Sequence, residues 1–305
     1  MTDSYYGRPV LKEPVWQPEI PWYFFTGGLG GASSVLSLVA RVKGYERLAK
    51  QSIYIGAAAD AISPLLLISD LGRPERFLNM MRVFKVTSPM SVGSWILAFS
   101  SGASSASAFL NFIGRLGRTS DVARTASALS GAPLAVYTAT LLSDTAIPVW
   151  HEARNELPFL FGASAAASAG AAATLAVPGP EAAPARRLAV GGALVETAVM
   201  LAMEKRLGFV GEPYKQEEAG RYARLAKACT LGGGALLALA GRRSRLASVA
   251  GSALVLGGGA ALRWSVFKAG FQSARDPKYT VMPQRERAGY GVRSRTRPGS
   301  AEASV

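Results

Sequence analysis

DLGRPERFLNMMRVFKVTSPMSVGSW, from Asp70 to Trp95, is the stretch of this 305-residue chain that decides its fold. It begins as a charged connector and has a long apolar run on each side. Residues 48–69 contain a single acid, and residues 90–114 contain no charged side chain. Apolar runs of about 20 residues are typical of helices that cross a bilayer. The stretch therefore predicts two membrane helices with a polar segment between them.

The polar segment, residues 70–89, is predicted to be an ordered cap that lies on the membrane surface. Pro74 and Pro89 interrupt it. Four apolar side chains follow one another at helical spacing: Phe77, Met80, Met81 and Phe84. This spacing predicts a short amphipathic helix with its apolar face toward the lipid.

The rest of the chain repeats the pattern of apolar runs and short polar connectors. Eight runs can be distinguished, at 22–42, 49–69, 90–114, 123–147, 157–177, 186–206, 222–241 and 246–268. The predicted fold is an all-α integral membrane protein of about eight transmembrane helices, arranged as two four-helix bundles. It has three predicted parts: an extramembrane arm over 1–21, a membrane domain over 22–268, and a basic, partly disordered tail over 269–305.

An even number of spans predicts that both termini lie on the same side of the cell membrane. Basic residues are dense in the short loops at 41–50, 115–124, 186–187 and 242–245. The positive-inside rule favours the cytoplasm for this set of loops, and therefore the extracytoplasmic side for the termini. The net charge of +14 fits anionic lipid headgroups better than nucleic acid, because the basic residues lie between spans.

Cysteine and histidine usage limits the redox chemistry of the chain. Cys229 and His151 are the only residues of their types. One cysteine excludes an internal disulfide and a Cys-ligated iron–sulfur cluster, and one histidine excludes a bis-histidine haem. No metal site is predicted. If the protein transfers electrons, the metal centres belong to a partner.

When the loops, the termini and the charges at the helix ends are set aside, four ionisable residues remain inside the predicted spans: Asp60, Asp144, Glu196 and Arg263. A charge in hydrocarbon is costly, so each is a candidate for proton handling or for pairing. Asp60 and Glu196 are near mid-span, whereas Asp144 and Arg263 are near the ends of their runs, where they could reach the interface. One alternative is that Asp60 and Arg263 form a structural pair, which would leave Glu196 as the unpaired acid.

The segment 70–95 resembles the NrfD type of polysulfide reductase membrane subunit. Two further segments support the resemblance, Trp22-Tyr-Phe-Phe-Thr-Gly-Gly-Leu-Gly-Gly31 and Pro148-Val-Trp-His-Glu-Ala-Arg154. The resemblance implies a quinone site, for menaquinone or ubiquinone, with Tyr23 and Tyr137 at its headgroup. It also implies a ferredoxin-like iron–sulfur partner and a catalytic, molybdopterin-type subunit. The partner would dock on 70–89, 148–157 and 205–221.

The residues at this docking face have two interpretations each. His151 could relay protons near neutral pH or merely end a helix. Arg73, Glu75 and Arg76 could dock a partner or hold the cap to its neighbouring loops.

Two other functions compete with a quinone-reactive subunit. A proton-coupled transporter could use Asp60 and Glu196, but the sequence shows no clear inverted repeat. A purely structural membrane anchor would need none of these residues for electron transfer.

Overall fold

The computed structural model describes residues 10–114 and 117–287, and their side chains except those of Arg76 and residues 284–287. Within these residues the protein is all-helical. Eleven α-helices follow one another: α1 (Glu19–Val42), α2 (Glu46–Asp70), α3 (Arg76–Met80), α4 (Pro89–Phe112), α5 (Arg118–Ser143), α6 (Pro148–Glu152), α7 (Leu157–Ala176), α8 (Ala183–Leu207), α9 (Glu217–Leu239), α10 (Arg245–Arg275) and α11 (Lys278–Arg287). Short 3-10 segments, Pro180–Ala182 and Gly208–Lys215, connect α7 to α8 and α8 to α9.

Each of the eight apolar runs coincides with one long helix. These helices, α1, α2, α4, α5, α7, α8, α9 and α10, contain 20 to 31 residues. Among the described residues, four helices, α1, α2, α7 and α10, are long and apolar enough by composition to cross a membrane. Serine, glycine and charged residues near the helix ends lower the mean hydropathy of the other four.

The long helices pack in two groups of four. In the first group α1 contacts α2 and α5, and α4 contacts the same two helices. In the second group α7 contacts α8 and α10, and α9 contacts the same two. Helices α1 and α7 form the main contact between the groups, with α5 and α10 beside them. The short loops explain this arrangement, because a short connection makes consecutive helices antiparallel neighbours.

Trp150 anchors the end of the molecule at which the cap lies, called the cap end. Its side chain is fully buried, and its Nε1 donates to the carbonyl oxygen of Val266 at 2.7 Å. The Trp16 ring stacks on it at 5.5 Å between ring centroids. Glu13 also pairs with Arg275, at 2.8 Å. Both ends of the described chain therefore lie at the cap end.

Two expectations differ from the structure. Within the cap, α3 covers only Arg76–Met80, and residues 81–88 have turn, bend or irregular backbone before α4 begins at Pro89. The stripe from Phe77 to Phe84 therefore does not lie on one helix. The tail is helical where it begins: α10 continues past 268 to Arg275, and α11 follows. Residues 288–305 of the predicted tail lie outside the described residues.

Candidate functional site

A small cavity of about 50 Å³ lies beneath the cap, at the end of the first group of helices. Its walls come from the N-terminal arm, α1, α2, the cap, α4 and α5. The lining residues are Trp16, Ile20, Tyr23, Phe24, Leu67, Asp70, Leu71, Met80, Met90, Ser94, Tyr137 and Leu141. We call it the cap cavity. It brings together Tyr23 and Tyr137, the two tyrosines that the sequence analysis assigned to a quinone headgroup.

The two tyrosine hydroxyls differ in their partners. Tyr137 donates to the carbonyl oxygen of Pro89, at 2.8 Å, and so ties α5 to the first residue of α4. Tyr23 is 2 % exposed, and no hydrogen bond joins its hydroxyl to another described residue. A hydroxyl without a partner in the protein is available to a ligand or to water. Tyr23 is thus the free hydrogen-bond donor of the cap cavity.

Gly93 makes room for the Tyr137 ring. A Cβ atom built on Gly93 would overlap the ring and hydroxyl of Tyr137. Glycine is therefore required at this point of α4 for sterics rather than for backbone freedom. The Gly-Ser-Trp segment at 93–95 belongs to the stretch that carries the family resemblance, and this contact gives it a physical reason.

Asp70 supplies the carboxylate of the cap cavity. It is the last residue of α2, and its Oδ1 accepts from the backbone N–H of Gln17 at 2.8 Å. The sequence analysis counted Asp70 only among the charges of the cap. The sequence could have indicated this role, because Asp70 lies at the boundary between an apolar run and a polar segment. A residue there contacts both the membrane interior and the polar surface.

Asp60 lies deeper in the same group of helices and is fully buried. Its Oδ2 accepts from the hydroxyls of Ser100 and Ser104 on α4, at 3.0 and 2.9 Å. Its Oδ1 has no hydrogen-bond partner and lies against Gly30, where a Cβ atom would collide with the carboxyl group. No cation pairs with Asp60 among the described residues. Serine hydroxyls, rather than an arginine, solvate this acid.

A pair of hydroxyls lies between Asp60 and the cap cavity. Thr26 on α1 and Ser63 on α2 are 2.8 Å apart, and either can be the donor. Ser63 is one turn beyond Asp60 on α2, and Thr26 is one turn from Tyr23 on α1, so the pair lies at a level between the acid and the cavity. The sequence analysis missed these hydroxyls because single serines in apolar runs are common.

Glu196 and Arg263 belong to the second group. Glu196 is 4 % exposed and accepts from the hydroxyl of Thr230 at 2.9 Å. Arg263 is 1 % exposed and donates to the carbonyl oxygens of Phe24 and Phe161, at 3.4 and 3.1 Å. Its guanidinium also lies 3.8 Å above the centre of the Phe161 ring. The expectation that Arg263 reaches the interface is wrong, because α10 extends well beyond it.

The suggested pair between Asp60 and Arg263 is absent from the described structure. Arg263 instead lies where α1, α7 and α10 meet and acts electrostatically on Glu196. No basic residue lies within one turn of Glu196 on α8, and Arg263 is a basic neighbour that forms no ion pair with it among the described residues. The neighbour comes from another helix, and the spacing of charges along one helix could not show it.

Asp144 and His151 lie apart from the cap cavity. They line a second cavity of about 380 Å³ with Glu152 and with Tyr279 of α11. Both are exposed, and Asp144 follows the last residue of α5 instead of lying inside it. Burial raises the pKa of the Tyr279 phenol, and the hydrogen bond with Lys278 opposes this rise. Any proton handling by Asp144 and His151 would take place at the protein surface.

The cap carries the residues considered for partner docking. Arg73 and Glu75 are exposed, and neither takes part in an ion pair among the described residues. The backbone of Arg76 begins α3, and its side chain lies outside the described part of the structure. Asp70, in contrast, joins the cap to the N-terminal arm through the N–H of Gln17.

The helices, the buried acids and the cap cavity together define a helical membrane protein. Among the described residues, no group of three or more potential metal-ligating side chains is close enough to hold a metal ion. Residues 10–203 match the family described as polysulphide reductase, NrfD. The chain therefore belongs to the NrfD family, a membership that indicates a membrane subunit of a respiratory oxidoreductase complex. A comparison with curated proteins gives no match.

Proposed function

We propose that the protein is the quinone- or quinol-reactive membrane subunit of an iron–sulfur oxidoreductase complex, with all eight long helices crossing the membrane. The observation that carries this proposal is the meeting of Tyr23 and Tyr137 in the cap cavity. A quinone headgroup needs hydrogen-bonding groups for two carbonyls and an apolar surround for its ring. The free hydroxyl of Tyr23 and the apolar walls of the cavity meet that need.

Opening of the cavity is part of the proposal. Its volume of about 50 Å³ is far below the ~300–1,000 Å³ typical of ligand pockets. Met80 of the cap and Met90 of α4 line it, and methionine side chains change shape readily. A quinone ring would enter by displacing these two side chains, with its isoprenoid tail remaining in the lipid.

Proton exchange would run through Asp60. Reduction of a quinone takes up two protons, and oxidation of a quinol releases them. A carboxyl group that is buried among serine hydroxyls, without a cation, is favoured in its neutral form and can give up that proton. The Thr26–Ser63 pair continues the hydroxyls from Asp60 toward Tyr23. Asp70, at the cavity itself, is the second carboxyl group within reach of the site.

Electrons would pass between the quinone and a ferredoxin-like partner docked at the cap end. The exposed cap, with Arg73 and Glu75, and the residues near 148–157 and 205–221 would form the docking face. The partner would connect to a molybdopterin-type catalytic subunit. This part of the proposal is supported by the family membership and by the position of the cap cavity close to that face.

Labelling with a photoreactive quinone tests the site in the full complex, in native membranes. We expect label on peptides of α1, the cap and α5, and protection by excess unlabelled quinone. Met80→Trp should reduce labelling, because it fills the cavity beneath the cap. Met282→Trp is the matched control, since Met282 is exposed on α11 and does not line the cavity. Label confined to α8–α10, or equal labelling of both variants, would contradict the proposal.

A further inference from the structure

A third cavity, larger than the two already described, lies at the opposite end of the molecule from the cap. It has a volume of about 790 Å³ and opens between two connections, α7 to α8 and α9 to α10. Five arginines line it: Arg186, Arg187, Arg242, Arg243 and Arg245. No acidic side chain is among its lining residues. We call it the arginine cavity.

The positive charge of the arginine cavity is not compensated within the described part of the chain. Arg186 donates to the carbonyl oxygen of Gly241 at 3.4 Å, and Arg245 to that of Thr174 at 3.0 Å. These two guanidinium groups are held in place by backbone. Arg187, Arg242 and Arg243 form no ion pair with any described residue. Arg187 and Arg242 also repel Arg186 electrostatically.

Two helix N-termini add to this positive field. Ala183 and Arg245, the first residues of α8 and α10, both line the cavity. These helices have 25 and 31 residues, and the start of α8 has no side-chain cap. Ser244 caps α10 through the N–H of Ala247, so these helix starts contribute mainly their helix dipoles, which favour an anion. Arginines and helix starts thus converge on the same space.

The walls of the cavity are apolar. Val177, Val190 and Leu237 face the space between the arginines, with small residues such as Gly191 and Ala238 beside them. A free phosphate ion needs only the guanidinium groups, whereas a lipid needs an apolar wall for its glycerol and first acyl carbons. The cavity lies at the ends of membrane helices, where headgroups lie. Basic pockets between helices are the sites that hold acidic headgroups.

We propose that the arginine cavity binds the headgroup of an anionic phospholipid, whose phosphate bridges the α7–α8 and α9–α10 connections. The phosphate of the lipid balances the positive charge of the arginines. It also connects the two helix pairs at this end of the molecule. The site is independent of the cap cavity and of the quinone proposal.

Lipid binding to the full-length protein tests this proposal directly. Nanodiscs or native mass spectrometry would compare phosphatidylglycerol with phosphatidylcholine, and inorganic phosphate would serve as competitor. The cavity variant combines Arg187→Gln, Arg242→Gln and Arg243→Gln. The control combines Arg47→Gln, Lys50→Gln and Arg118→Gln, three exposed basic residues at the same end of the first group of helices. Both variants lose the same charge.

We expect the wild type to bind phosphatidylglycerol selectively and the cavity variant to bind it at least about tenfold more weakly, with the control unchanged. An equal loss in both variants would show unspecific attraction to a charged surface and would overturn the proposal. Phosphate that competes at the same concentration as the lipid would show a site for free anions instead, and would also overturn it.

A steric variant tests lipid binding without changing the charge of the cavity and without a clash that would disturb folding. Gly191→Leu leaves all five arginines in place, and nothing lies within 4 Å of the position a Cβ atom would take. The new side chain would occupy the arginine cavity and should weaken phosphatidylglycerol binding. Gly257→Leu on α10 is the matched control, because it is equally open and lines no part of the cavity. Unchanged binding by Gly191→Leu would contradict the assignment.

Discussion

A comparison of Tyr23→Phe with Tyr137→Phe tests which tyrosine hydroxyl binds a ligand and which one stabilises the fold. The Tyr23 hydroxyl has no partner among the described residues, whereas the Tyr137 hydroxyl donates to Pro89 at 2.8 Å. Removal of an intramolecular hydrogen bond costs about 1 kcal/mol of stability. Tyr137→Phe should therefore lower the free energy of unfolding by about that amount. Tyr23→Phe should leave it nearly unchanged, because no hydrogen bond to another described residue is lost.

The affinity for a quinone should be affected more by Tyr23→Phe than by Tyr137→Phe. If Tyr23 donates to a quinone carbonyl, its loss removes about 1 kcal/mol of binding free energy. That corresponds to a dissociation constant about fivefold higher. Trp16 lines the cap cavity, so quenching of tryptophan fluorescence by a quinone analogue gives the affinity. Thermal unfolding of the same samples gives the stability.

Two results would refute this reasoning about Tyr23. A loss of stability in Tyr23→Phe equal to that in Tyr137→Phe would mean that the Tyr23 hydroxyl has a partner in the protein. An unchanged affinity would mean that the hydroxyl does not contact the quinone. Tyr222→Phe is a control for the general effect of removing a hydroxyl, since Tyr222 stacks on Trp264 and does not line the cap cavity.

The other predictions concern the buried acids and the packing of Tyr137. Asp60→Asn should lower quinol turnover in the full complex on the order of a hundredfold and flatten its pH dependence, because the exchangeable proton is lost. Wild-type turnover in this variant would show that Asp60 is structural. Glu196→Gln should lower thermal stability more than turnover, because the Thr230 hydroxyl and the nearby Arg263 guanidinium both favour a carboxylate at this position. Unchanged stability would contradict this. Gly93→Ala should lower the free energy of unfolding by about 1–3 kcal/mol and weaken quinone binding, because the Tyr137 ring must move. Normal quinone binding would show that Tyr137 tolerates displacement.

Run lengths and connectors were enough to predict the long helices. A run such as 157–177 has the length of a span, and Pro180 and the residues around it end it, so α7 was predicted to within a residue at its C-terminal end. The end of α10 was predicted too early, at 268. Lys268 ends the apolar run but not the helix, because helix propensity does not depend on hydropathy.

The candidate site was predictable only in part. The resemblance brought Tyr23 and Tyr137 together, and the structure places both in one cavity. The partners of Asp60 were missed, although Ser100 and Ser104 are one turn apart on one face of α4. Serine in a membrane helix gives a weak signal by itself. Ser100 and Ser104 would have been found by a search for polar residues at helical spacing on a helix that neighbours the buried acid.

The position of Arg263 determines how the two acids differ. It lies where the two groups of helices meet, with its guanidinium on Phe161 and its N–H groups on backbone carbonyls. A buried guanidinium favours a negative charge nearby, and Glu196 is the acid on which it acts. Asp60 lies in the other group with two hydroxyl donors and no cation. Asp60 and the cap cavity thus occupy the same group of helices, whereas Glu196 and Arg263 belong to the group beside it. We therefore propose that Asp60 exchanges protons with a quinone, and Glu196 remains the second candidate acid.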